Sequence, residues 1–213
     1  MDRNKYEIIR LRMESTAEAL RKNNYYAVCA ENREEALEIV ENLIDDNASV
    51  AVGGSVTLSE CGVLELLRSG KYDFYDRYAE GLTREQITEI HHQAMLCDFY
   101  LCSANAVTEN GELFNIDGTC NRVAAMLYGP DNVIVVVGFN KIVGNADEAR
   151  KRVKELAAPA NATRLSRKTP CVIKGKCADC RADDRICSAE VLMGYQIVKE
   201  RVKVILVGEE LGY

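Results

Sequence analysis

Apolar positions in this chain follow two rhythms, and the switches between them mark its elements. Tyr6, Ile9, Met13, Ala17 and Leu20 recur every three to four residues, which predicts an amphipathic helix ended by Asn23-Asn24. Tyr25–Ala30 then reads as a short strand. Asn32-Arg-Glu-Glu35 is a capping-box pattern, opening a helix with Ala36, Leu37, Val40 and Ile44 on one side. Ser49–Val52 is a strand running into Gly53-Gly54, and the helix after it carries Leu58, Leu64 and Leu67 as far as Gly70. Phe74-Tyr75 belongs to another strand. Thr83-Arg-Glu-Gln86 is a second capping box, before a helix bearing Ile87, Ile90, Ala94 and Met95.

Phe99–Ser103 is an apolar run of buried-strand character, and it leads into a hairpin. Asn110-Gly111 lies between Ala106-Val107-Thr108 and Leu113-Phe114, and Asn-Gly suits a type I′ turn because both residues tolerate positive φ. Thr119 is placed to cap the helix Asn121–Tyr128. Gly129-Pro130-Asp131-Asn132 is a turn. Val133–Val137 is uninterrupted and β-branched, the pattern of a strand covered on both faces. Asp147 to Ala157 reads as a helix ended by Pro159, Ser188 to Glu200 as a further helix, and Val202–Val207 as a last strand. Alternating strands and helices predict an α/β fold, with a mostly parallel sheet flanked by helices and an inserted β-hairpin. One domain over residues 1–213 is expected, with a short Cys-rich segment, 170–188, near its C-terminus.

Composition narrows the function classes. With 47% apolar and 28% charged residues the chain is an ordinary globular one. A net charge of −6 argues against a general nucleic-acid or membrane-surface role. No apolar run is long enough for a membrane span, and the polar start, Met1-Asp-Arg-Asn-Lys, lacks a signal-peptide core, so a cytoplasmic location is expected. Nine cysteines in a reducing compartment point to thiols or metal ligands rather than disulfides.

Four of those cysteines cluster. Cys177 and Cys180 form a Cys-x-x-Cys knuckle, with Cys171 before it and Cys187 after it. Four thiolates from a loop-like segment suit a tetrahedral Zn²⁺ site or a [4Fe–4S] cluster, and Lys174, Lys176, Arg181 and Arg185 would offset its negative charge. A redox dithiol at Cys177/Cys180 is the lesser alternative. Of the histidines, His91 and His92 are adjacent on a predicted helix, point in different directions, and read as structural.

Gly53-Gly54-Ser55 sits between a strand and a helix, where an open α/β sheet binds ligands. It lacks Gly-x-Gly-x-x-Gly and a phosphate-loop Lys, so nucleotide binding is not implied. Ser103 to Thr119 brings polar groups to a second such place. This stretch resembles the hairpin motif of the lactate-utilisation (LUD) domain family, part of the fold group of ribose-5-phosphate isomerase, glucosamine-6-phosphate deaminase and the CoA transferases. Gly53–Glu60 resembles the family's early glycine loop, Asn121–Met126 continues its central motif, and Val136–Val143 resembles the segment after its late core strand. The resemblance spans roughly Glu14 to Leu165, and implies a small residue, often Gly, where Cys120 stands.

The resemblance implies a pocket for a small anionic metabolite. Its ligand-binding set is Gly53, Gly54, Ser55, Thr57, Asn105, Thr108, Asn115, Asp117, Gly118, Thr119, Asn121, Arg122, Asn140 and Lys141, with Arg122 as a two-pronged anion clamp. Glu60 and Glu109 are the candidate catalytic carboxylates. The expected role is in lactate or related organic-acid metabolism, as an oxidoreductase subunit beside iron–sulfur partner proteins, which favours [4Fe–4S] over zinc at Cys171, Cys177, Cys180 and Cys187. Two alternatives stay open. One is a stand-alone isomerase or transferase on a phosphorylated or CoA-linked substrate. The other is a non-catalytic metabolite sensor or assembly factor. Oligomerisation is compatible with all three.

Overall fold

The computed structural model describes residues 2–213. Met1, the first residue of the expected domain, lies outside them. The elements in chain order are α1 (Arg3–Lys22), β1 (Tyr26–Ala30), α2 (Arg33–Leu43), β2 (Ser49–Val52), α3 (Val56–Glu60), α4 (Val63–Leu67), β3 (Asp73–Tyr75), α5 (Arg84–Gln93), β4 (Phe99–Cys102), β5 (Ala106–Thr108), β6 (Leu113–Asp117), α6 (Asn121–Tyr128), β7 (Asn132–Gly138), β8 (Ile142–Val143), α7 (Ala146–Arg152), α8 (Ala158–Arg164), α9 (Pro170–Lys174), β9 (Ala189–Met193) and β10 (Val202–Val207). Six strands form a wholly parallel sheet in the order β1-β10-β7-β4-β2-β3. The expected mostly parallel sheet flanked by helices is therefore present.

Strand alternation explains the layering. Val133, Val135 and Val137 of β7 point to one face, packing with Met13, Ala17 and Leu20 of α1 and Ala125 and Met126 of α6. Ile134 and Val136 point to the other, against Ala36 and Val40 of α2, Leu58 of α3 and Leu64 and Leu67 of α4. Each of these five β7 side chains is fully buried, which stabilises the fold by roughly 1.5–3 kcal/mol apiece.

The hairpin is not a lone insertion. It pairs on both sides, giving a second sheet, β8-β5-β6-β9. One face of that sheet joins the α1 layer through Val107 and Leu113, and the other packs Ala106 and Phe114 against Ala149 of α7, Val153 and Ala158.

Five local expectations are corrected. The hairpin turn is not type I′, because only Gly111 has positive φ (78°) and its N–H donates to Thr108 O at 2.9 Å. The Leu58–Leu67 helix breaks at Cys61-Gly62, where Gly62 takes φ 73°. The α6 helix is capped at Cys120, not Thr119, and Cys120 adopts φ 65°, a conformation that favours the glycine the resemblance implied. Pro159 ends nothing: α7 passes through a π turn, Val153–Ala157, into α8, and the wider turn accommodates the missing N–H. Ala189–Met193, read as helical, is a strand with alternating exposure, because β6 offers it an open edge.

Candidate functional site

The carboxyl ends of β2, β3, β4, β7 and β10 open on one side of the parallel sheet, and the residues after them build the site. After β2, Gly53 N–H donates to Leu101 O at 2.8 Å, carrying the pairing with β4 one residue further. A Cβ at Gly53 would lie 2.9 Å from Tyr100 Oη and 3.3 Å from Arg122 Cγ, so only glycine lets those side chains pass behind the loop. Ser55 caps α3, accepting from Leu58 N–H at 3.2 Å.

After β7 a short 3₁₀ turn, Phe139–Lys141, directs Lys141 inward, where it is 3% exposed. Its Nζ donates to Thr57 Oγ1 at 2.8 Å and Ser103 Oγ at 3.1 Å. No described carboxylate lies within 4.0 Å of it; all salt bridges are elsewhere. Burial, reinforced by the Arg152 and Arg122 charges, pulls the Lys141 pKa down to about 7. Arg152 donates to Asn105 O at 2.7 Å and Asn140 O at 3.1 Å, and its Nη2 is buried with no protein partner. Burial lowers its pKa to about 10, which leaves it charged at neutral pH.

Arg122 has four of its five N–H donors engaged within the protein. It donates to Asp117 (3.2 Å), Ser103 O (2.8 Å), Asn105 Oδ1 (2.8 Å) and Ile116 O (2.7 Å). Rather than clamping a ligand with a free fork, it ties the β4 end and β6 to α6.

Of these groups Ser55, Thr57, Ser103, Arg122 and Lys141 line a crevice of about 610 Å³, and Arg152 stands behind it. From the expected set it is lined by Gly54, Ser55, Thr57, Asn105, Asp117, Gly118, Thr119, Asn121, Arg122 and Lys141. Six other candidates do not line it. Glu109 sits at the hairpin tip, paired with Arg12. Thr108 is buried and donates to Glu112 at 2.8 Å. Asn140 braces the chain near Leu211 and Gly212. Glu60 accepts from Gly212 N–H at 2.7 Å, beside the crevice rather than in it. Gly53 opens the loop but faces the Tyr100, Cys102 and Arg122 side chains. Asn115 is wholly buried, with both side-chain polar atoms unpartnered by protein.

The structure adds lining residues that the sequence did not single out. Arg77, Tyr78, Arg84 and His91 come from the β3–α5 region, Asn161, Arg164 and Arg167 from α8 and beyond, and Asp183 to Ile186 from the Cys-rich segment. His91, read as structural, faces the crevice with Nε2 buried and unpartnered, and burial lowers its pKa. Arg84 and His91 are seven residues apart on α5, a spacing that puts them on one face. In all, seven basic residues face three acidic ones, in a chain whose net charge is −6. Such a local excess attracts anions.

The Cys-rich segment packs beside this crevice. Cys171, Cys177, Cys180 and Cys187 line one small space of about 20 Å³ with Ala158, Ala162 and Ile186. Cys177 N–H donates to Lys154 O at 2.8 Å, and the Lys154–Asp179 ion pair (2.5 Å) holds the knuckle to the π turn. Three of the four sulfurs meet a polar group: Thr169 Oγ1 at 3.1 Å from Cys171, Asp179 N–H at 3.4 Å from Cys177, and Arg185 at 3.5 Å from Cys187. Of the four expected cations only Arg185 makes such a contact; Lys174, Lys176 and Arg181 point outward, exposed. Among the described residues no three His, Cys, Asp or Glu side chains stand as a ready-made metal-holding group. The four thiols nevertheless share one space, and hydrogen-bonding groups reach three of the sulfurs. Cys61, Cys97 and Cys102 lie in the core, where burial pushes their thiols up to about 11, 11 and 12.

No helix among the described residues is long and apolar enough to cross a membrane. No match to a curated protein was found. A crystal structure of a DUF162 family protein from Deinococcus radiodurans is similar, with a TM-score of 0.54 and 17% identity over 95% of this chain and 98% of that one, a likeness of fold. The sequence model of the LUD domain matches residues 13–207, beyond Leu165 and through the Cys-rich segment to the last strand. The chain belongs to the LUD domain family.

Proposed function

We propose that this protein binds a small anionic metabolite in the basic crevice and holds a metal centre on Cys171, Cys177, Cys180 and Cys187, acting as a component of an oxidoreductase system in lactate or related organic-acid metabolism. The observation that carries the anion is the charge of the crevice lining, where Arg77, Arg84, Arg164 and Arg167 join Arg122 and Arg185 against three aspartates. Like charges crowded on one concave surface raise its potential, and an anionic ligand offsets it. The LUD family's association with lactate utilisation supports the metabolic setting.

Toward a metal, the four thiols are the ligands, and Thr169, Asp179 N–H and Arg185 would tune their charge. A [4Fe–4S] cluster would supply one-electron transfer, as the iron–sulfur company of lactate oxidation favours. The 20 Å³ space, about that of one water or ion, favours zinc. Anaerobic purification with metal analysis and an absorption spectrum tests this. A brown protein bleached by dithionite supports the cluster, and a colourless one with stoichiometric zinc supports a structural site. Absence of both metals, with four freely reactive thiols, overturns the metal centre.

A second reading is favoured by crevice size. A space of about 610 Å³ with four arginines besides Arg122 and Arg185 exceeds what a three-carbon acid fills. It suits a phosphorylated or CoA-linked substrate turned over without partner chains. Calorimetry with pyruvate, a sugar phosphate and coenzyme A ranks the two readings by affinity.

A further inference from the structure

The crevice contains one nucleophile that anion binding alone leaves without a role. Lys141 Nζ lies at its floor, almost wholly buried, between two hydroxyls and away from any carboxylate ligand. Keeping a lysine charged in such a place costs several kcal/mol of desolvation that a surface lysine avoids. From this placement we infer that Lys141 is a reactive amine, which forms an imine with the carbonyl carbon of an anionic carbonyl compound bound in the crevice. The inference rests on the anion-binding reading above and names the substrate class for it.

The chemistry follows from the neighbours. The groups facing Nζ are Thr57 Oγ1 and Ser103 Oγ; beyond them the charges of Arg152 and Arg122 disfavour the ammonium, and Glu60 and Cys61 favour it more weakly. Burial and the two guanidiniums keep a large share of the amine uncharged near pH 7, as a nucleophile requires. The nitrogen lone pair attacks the carbonyl carbon, a C–N bond forms, and one of the amine's two protons passes to the carbonyl oxygen to give a carbinolamine. The C–O bond then breaks, the hydroxyl leaves with the nitrogen's one remaining proton as a single water, and C=N is left; no oxidant or reductant is consumed. Thr57 and Ser103 are within hydrogen-bond reach of the nitrogen and can relay its protons. The crevice arginines, Arg77, Arg84, Arg164 and Arg167, supply charge for the ligand's carboxylate or phosphate.

The test is reductive trapping on the full chain. Protein at pH 7 is incubated briefly with cyanoborohydride and either pyruvate, dihydroxyacetone phosphate or uncharged hydroxyacetone, then mapped by peptide mass spectrometry. The expected result is an adduct on the peptide holding Lys141 with one or both anionic probes, forming more than about 100-fold faster than on exposed lysines, which are almost all protonated at this pH. Hydroxyacetone should label Lys141 far less. The choice between pyruvate and the phosphate identifies the anionic group. Lys141→Met and Lys141→Arg should lose the adduct while keeping the far-ultraviolet dichroism of the wild type. Labelling spread evenly over exposed lysines, or no label on Lys141, overturns the inference. Calorimetry with the same probes separates the failures. Binding without an adduct overturns the imine alone, and no binding with no adduct overturns the anion-binding reading as well.

Discussion

Arg122 and Asp117 form an ion pair of 3.2 Å at the junction of β6 and α6, with side chains only 13% and 10% exposed. The same guanidinium also serves Ser103 O, Asn105 Oδ1 and Ile116 O. Arg122→Ala therefore strands a nearly buried carboxylate and the Ser103 and Ile116 carbonyls, while Asn105 Oδ1 keeps only the Ile116 N–H. The expected loss is about 3 kcal/mol of stability, larger than a surface ion pair contributes. Urea denaturation checks it: the midpoint should fall with little change in slope. A midpoint within error of the wild type would show that Arg122 is free to serve the ligand instead.

Lys141 gives stability a pH dependence of definite sign. Its folded pKa, near 7, lies below the unfolded value of about 10.4, so between these pH values the unfolded chain holds a proton that the folded chain lacks. Stability then rises with pH, by up to about 1.4 kcal/mol per unit, and below pH 7 the full cost of charging the buried amine remains. Lys141→Met removes this contribution. The variant should be more stable than the wild type by a few kcal/mol at pH 7, and the gap should narrow toward pH 10. A gap that stays constant across that range would mean Lys141 is not buried uncharged.

Gly111 holds the hairpin against α1. A Cβ there would lie 2.4 Å from the Ala19 carbonyl carbon, at a φ of 78°. Gly81 has a similar φ of 79° but open space around it. Gly111→Ala should cost roughly 2–3 kcal/mol and lower the melting temperature by about 4–12 °C. Gly81→Ala should cost only the backbone strain, about 1 kcal/mol. Equal effects would show that the Ala19 contact yields freely.

Cys177→Ser tests the Cys-rich segment against the rest of the fold. Metal uptake should be lost, and hydrogen exchange should quicken over residues 170–188, because without the metal the knuckle keeps little beyond the Cys177 N–H bond to Lys154 O and the exposed Lys154–Asp179 pair. Amides of β4, β7 and β10 should keep wild-type protection, since the sheet core contains no part of the segment. Retained metal with unchanged exchange would remove Cys177 from the centre.

Much of this protein is written locally. The run Val133–Val137 announces a strand buried on both faces, because a continuous β-branched stretch leaves no polar side for water, and it proves to be central in the sheet. Thr83 and Gln86 announce a capping box by spacing alone, and both reciprocal bonds form. The clustering of four cysteines was legible because the segment is short, so sequence distance bounds spatial distance. The glycines after β2 and the lysine after β7 were legible as strand-end residues.

What only the tertiary structure decided are matters of partnership between distant segments. Ala189–Met193 carries no pattern strong enough to exclude a helix, and the open edge of β6 makes it a strand. Pro159 stops a helix in isolation, but here the π turn absorbs it while Ala157 and Ala158 pack on Phe114 and its neighbours. Arg122 reads from sequence as an anion clamp; three carbonyl or amide oxygens from other segments claim its donors first. The crevice arginines Arg77, Arg84, Arg164 and Arg167 come from the stretch after β3, from α5, and from α8 and the residues just beyond it, which share no motif and meet only because the strand order brings their loops to one edge. Lys141 is a surface residue type by composition. Its burial, and the absence of a carboxylate beside it, follow from what surrounds the end of β7, and no local pattern encodes that.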